Sequence, residues 1–115
     1  MDVDQHELNR LGDLMAKAAG IEVFIDSDGS VWHPGGMAAF RPTTDANDRD
    51  AVVVALRKRG ILAVQSPLEH ESEGFLASLY RHRRDSPFSA QTASTPGLAL
   101  ALAIEAAGIG GTQCQ

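Results

Sequence analysis

Residues 95–108 read TPGLALALAIEAAG, and this stretch decides the fold. Thr95 offers a hydroxyl to the orphan N–H groups of a helix start. Pro96 suits the first helical position, because its missing N–H would go unpaired there in any case. The spacing predicts a helix from Pro96 to Ala107. Leu98, Ala99, Leu100, Leu102, Ala103, Ile104, Ala106 and Ala107 leave that helix almost no polar face. A helix apolar all round has to be covered on most sides. The rest of the chain must therefore supply a sheet, and further helices, to cover it.

Strand patterns lie just upstream. Phe88 to Ala93 is a candidate strand that closes the sheet, after a turn at Arg83-Arg84-Asp85-Ser86-Pro87. Phe75 to His82 alternates Phe75, Ala77 and Leu79 against Leu76, Ser78 and Tyr80, which reads as a strand. Ile61 to Gln65 is a second clear strand, and Ser66 to Gly74 is a polar loop. Before these, a helix runs to about Arg59, capped at its start by Thr44 or Asp45 and ended by Gly60. Asp48 adds negative charge to its first turn, and Arg57, Lys58 and Arg59 add positive charge to its last, both favoured by the helix dipole. Val52, Ala55, Leu56 and the stem of Arg59 form its inward face.

The N-terminal third completes the pattern. Leu8, Leu11, Met15 and Ala18 recur at helical spacing, so Gln5 to Ala19 reads as a helix between an Asp4 cap and Gly20. Ile21 to Ile25 and Ser30 to His33 read as short strands joined by the turn Asp26-Ser27-Asp28-Gly29. The expected fold is α+β: a small sheet of four to five strands, mostly antiparallel, packed with three helices in the order α-β-β-α-β-β-(β)-α. One domain is expected over residues 1–109, with a flexible glycine-rich tail over residues 110–115.

Composition narrows the function classes. The chain has 115 residues, enough for one core without a metal or disulfide staple. Aromatics are 5%, so Ala, Leu, Val and Ile must build that core. The net charge of −5 argues against a duplex nucleic acid partner, which calls for a broad basic face. It suits solubility, and also a partner with basic patches. Cys114 is the single cysteine, so no intrachain disulfide can form, in keeping with a reducing cytoplasm. The acidic start MDVDQHELNR does not read as a signal peptide, and the apolar run Leu98 to Ile104 is too short to cross a membrane.

Four stretches carry a resemblance to a known family. They are His6-Glu7-Leu8-Asn9 to Gly20, Val31-Trp32, Phe40-Arg41-Pro42-Thr43-Thr44-Asp45, and Thr95-Pro96-Gly97-Leu98-Ala99 to Ala107. In their order and spacing the chain resembles the phage ABA sandwich family, small proteins of phages and prophages. The middle of the chain, Ser66 to Gln91, matches that family in having strands and no further. The resemblance implies a sheet layered between helices and a phage or prophage origin. It carries over no catalytic residue. It implies an accessory role, some proteins of this kind countering bacterial immunity in the manner of anti-CRISPR proteins.

Candidate sites are few. Asp26-x-Asp28-Gly29 resembles the start of a calcium loop, but the twelfth position is Met37 where a glutamate is needed, so a hairpin turn is the plainer reading. No spacing suits a metal or a cofactor. His6, His33, His70 and His82 are scattered, and no nucleophile elbow accompanies them. Glu69, Glu71 and Glu73 form an acidic loop that could occupy a basic groove on a partner, or be a solvated loop. Trp32 is a core filler or, if partly exposed, an interface anchor. Arg81, Arg83 and Arg84, with Tyr80 beside them, could hold a phosphate compound or a nucleotide. Strand alternation splits that cluster between two faces. The leading expectation is a non-enzymatic protein that binds a host or phage protein, a defence complex among the candidates. A nucleotide- or phosphate-binding module is the alternative, and a hydrolase is third. The apolar last helix and Trp32 also offer a face for a homodimer.

Overall fold

The computed structural model describes residues 4–70, 73–81 and 86–109. Helix α1 (Gln5–Ala19) is followed by strands β1 (Phe24–Ile25) and β2 (Val31–Trp32), helix α2 (Ala46–Lys58), strands β3 (Ile61–Pro67), β4 (Phe75–Arg81) and β5 (Ser89–Ala93), and helix α3 (Pro96–Ala107). The α+β class and the element order agree with the sequence reading. The strands divide between two antiparallel sheets, a β1–β2 hairpin and a β3-β4-β5 meander. The expected tail over residues 110–115 lies outside the described residues.

Local chemistry sets the helix limits. The Asp4 carboxylate accepts the backbone N–H of Glu7 at 2.9 Å, and Gly20 closes α1 at φ 74. Asp45 caps α2 by accepting the N–H groups of Asn47 and Asp48. Thr95 caps α3 through its hydroxyl, which accepts the N–H of Leu98 at 3.1 Å. In each case a side-chain oxygen satisfies a donor that the first turn leaves without a partner.

Helix α3 occupies the centre. Ala99, Leu100, Ala101, Ala103 and Ile104 are all fully buried. The helix packs against β3, β4 and β5 on one side and against α1 on another. Helix α2 covers β3 with Val52 and Leu56, and α1 lies over α2 and α3 with Leu11, Met15 and Ala16. On the sheet, Ile61, Ala63, Ala77 and Leu79 point into this core. The alternate residues face the other way, and there Leu62 is 44% and Val64 42% exposed. Among the described residues the helices thus cover one face of the meander. That is a two-layer arrangement, open where the resemblance implies a sandwich.

The entry to α3 leaves no room for a side chain. A Cβ placed on Gly97 would lie 2.2 Å from the carbonyl oxygen of Thr43. Both Thr43 and Pro42 are buried, so the contact joins the start of α3 to the segment leading into α2. Gly97 has ordinary helical backbone, and its requirement is one of space. Gly97→Ala is therefore expected to destabilise the fold by about 2 kcal/mol, the usual range for overpacking a tight site. Urea titration of the two proteins measures it, and equal midpoints would show that the Thr43 segment moves aside freely.

Candidate functional site

The β1–β2 hairpin and the loop after it carry Phe24, Ile25 and Met37, three of the large apolar side chains exposed among the described residues. Phe24 pairs with Trp32, and Trp32 bridges in turn to Ala39. Residues directly opposite share a face, so Phe24, Trp32 and Ala39 form one side of this small ribbon. Val31 and Phe40 occupy the other side and are buried. Phe24 is 53% exposed, and Met37, in the loop just beyond β2, is 91% exposed. Beside them Glu22, Val23, Phe24, Pro34, Gly35 and Gly36 line a groove of about 480 Å3. Glu22 lies exposed on the groove's lining, and Asp28 is exposed in the turn that joins β1 to β2.

Two carboxylates hold this ribbon in shape. Asp26 Oδ1 accepts the backbone N–H groups of Asp28 at 2.9 Å and Ser30 at 3.0 Å. Its Oδ2 accepts the indole N–H of Trp32 at 2.9 Å, which fixes the ring on the hairpin face. The Trp32 bond foremost holds the Asp26 carboxyl below the usual range against an opposing desolvation, and the turn's N–H groups add to it. The Asp26-Ser27-Asp28-Gly29 turn is thus an Asx turn with an added aromatic clamp. Among the described residues no cluster of His, Cys, Asp and Glu is placed to hold a metal ion.

Asp48 fixes the far end. It is 8% exposed at the start of α2. Oδ1 accepts His33 Nε2–H at 2.8 Å, and Oδ2 accepts the Arg41 backbone N–H at 2.8 Å. The His33 ring also stands edge-on to Phe40, with centroids 5.4 Å apart. One buried carboxylate thereby ties both ends of the Pro34–Phe40 loop to α2. The arrangement orients His33 as a carboxylate does in an acid–base pair. Among the described residues Asp48 is the single hydrogen-bond partner of the ring.

The residues singled out from sequence are placed apart. Trp32 is half-buried on the hairpin face, between the two roles read for it. Glu69 and Glu73 are exposed in the β3–β4 connection, on the other sheet, where Glu73 accepts the His70 N–H at 3.3 Å. Glu71 lies outside the described residues, as do Arg83 and Arg84. Tyr80 pairs with Leu62 on the open sheet face. Arg81, the next residue, faces the opposite side, where its guanidinium lies 4.5 Å from the ring centre of Phe88. Tyr80 and Arg81 therefore do not converge on one point. Sequence reasoning missed the Asp48–His33 and Asp26–Trp32 contacts. Asp48 carried a signal as a helix-start charge, and Asp26 as a turn residue, but their partners are set by tertiary packing.

Compared with known proteins, the chain matches no family profile, no curated protein and no solved structure. The resemblance to phage ABA sandwich proteins stands on its four sequence stretches.

Two predictions follow from the clamps. The folded pKa of Asp26 is below its unfolded value, so its contribution to stability is complete above that value, near pH 4. It is lost as the pH falls through the folded pKa. Asp26→Asn should flatten this part of the acid limb of Tm against pH and shift Trp32 emission to the red at neutral pH. An unchanged limb and spectrum would show the clamp to be idle. Asp48→Ala leaves two donors without their acceptor and should cost about 2 kcal/mol. Amide exchange should then rise selectively over residues 33–41.

Proposed function

We propose that the protein is a non-enzymatic binding protein that docks on a protein partner with the outer face of its β1–β2 hairpin. The observation that carries this reading is Phe24, 53% exposed on a ribbon clamped by Asp26 and Asp48, with Met37, 91% exposed, in the loop that follows β2. A large apolar group in water gains nothing for the fold, and on a rigid support it loses little entropy when a partner covers it. Trp32 contributes an aromatic edge of the kind that anchors interfaces. The exposed Glu22 at the groove and Asp28 in the hairpin turn, with the net charge of −5, favour a partner whose apolar pocket is bordered by basic groups.

The resemblance to phage ABA sandwich proteins gives this reading its setting. The protein is then an accessory protein of a phage or prophage, acting in the cytoplasm of the bacterial host. The partner is a host protein, with a component of antiviral defence first among candidates. No step of this reading calls for catalysis or a cofactor.

Expression in a bacterial host, with phage plating and co-purification, tests it. Wild-type protein should alter plating efficiency and retain a partner. Phe24→Lys and Met37→Lys should lose both effects while keeping the wild-type Tm, because neither side chain packs in the core. No effect of the wild type on plating, or variants that remain fully active, would sink the proposal.

A further inference from the structure

We infer that β3 is a self-pairing edge, through which two copies of the chain join their meanders into one six-stranded antiparallel sheet. In the sheet order β3-β4-β5, β3 has a strand neighbour on one side alone among the described residues. The N–H of Leu68 donates to the Gly74 carbonyl at 2.9 Å, which continues the β3–β4 ladder by one residue. In an antiparallel ladder successive residues point their backbone groups to opposite sides. Leu62, Val64 and Ser66 therefore point theirs at β4, and Ile61, Ala63, Gln65 and Pro67 point theirs at the open edge. The register agrees, since Pro67 has no N–H to give β4 and is tolerated where edge strands place proline.

The edge is complementary to itself. Turned antiparallel about Val64, Ile61 faces Pro67 of the second copy and Ala63 faces Gln65. The free N–H groups of Ile61, Ala63 and Gln65 each find a carbonyl, and the missing donor of Pro67 costs one bond at each end. On the open face Val64 meets Val64 across the two-fold axis. That covers the side chains which are 42% exposed in the single copy, with Leu62 at 44% beside them. Charge matches at the ends. The two-fold brings the start of β3 in one copy, which follows the basic last turn of α2, to the acidic β3–β4 connection of the other, where Glu69 is exposed. Arg57 and Lys58 stand at the basic end, and Glu73 at the acidic end. A parallel pairing would set like charges together. The other edge, β5, has Ala90 and Thr92 on its open face, and among the described residues no charged side chain directly flanks it in sequence. A strand-to-strand contact falls below the size of standard interfaces, about 1,200 Å2, so the dimer is a weak one. The hairpin lies on another sheet and stays free, so this inference and the proposed function stand or fall separately.

Sedimentation over a concentration series reaching the millimolar range, with disulfide trapping, tests it. The mass should rise from one chain to two as concentration increases, and the rise should move to higher concentration in high salt. Val64→Lys sets like charges together at the two-fold axis and should abolish the rise, with an unchanged far-ultraviolet circular dichroism spectrum. In a Cys114→Ser background, Val64→Cys should oxidise to a covalent dimer, whereas Leu62→Cys should not, being opposite Ser66. A single-chain mass at every concentration would overturn the inference. So would equal cross-linking at the two cysteine positions, which would exclude this register.

Discussion

The structure depends on the burial of one apolar helix. Helix α3 carries no charge before Glu105, and Ala99, Leu100, Ala101, Ala103 and Ile104 in its middle are removed from water. An element of this kind cannot lie on a surface, so every other element is arranged to cover it. The meander takes one side, α1 another, and the Thr43 carbonyl sits against its first turn at Gly97. The small side chains of Ala99, Ala101 and Ala103 let these neighbours approach closely. This is how a chain with 5% aromatic residues still builds a tight core. At the far end, Glu105 accepts Arg10 Nη1–H at 2.6 Å and ties α3 to α1. That pair is exposed and adds little beside the apolar contact.

What the sequence reveals follows from the range of each interaction. The helices were legible because their signals are local. A cap, a 3.6-residue period and a closing glycine lie within one stretch of chain, and α1 and α3 begin and end where those signals put them. β5 was the weakest strand in sequence, and it forms because β4 pairs with it over Phe75 to Leu79. The division into two sheets had no local sign. β1 and β2 have two residues each, and the segment after them is drawn to α2 by Asp48 rather than continued into the meander. The site was less legible still. Asp48 looks like any helix-start carboxylate, and nothing near it names His33, fifteen residues away, as its partner. Arg81 looked like part of a basic cluster, whereas its neighbour Tyr80 leaves the strand on the opposite face.

The same core economy makes the exposed groups informative. Each of the chain's four phenylalanines could fill more core space than any aliphatic residue. Phe40 is buried and Phe75 and Phe88 pack partly against the core, but Phe24 is more than half in water. Scattered apolar residues are common on protein surfaces and call for no account. Phe24 differs because Trp32 lies directly across the ribbon, and a buried carboxylate and a turn carboxylate hold the group in place. A flexible loop with the same side chains would pay an ordering cost on binding that this ribbon has largely met in folding. In the proposed binding role the two carboxylates act through rigidity: they hold in place a surface on which Phe24 stays largely in water.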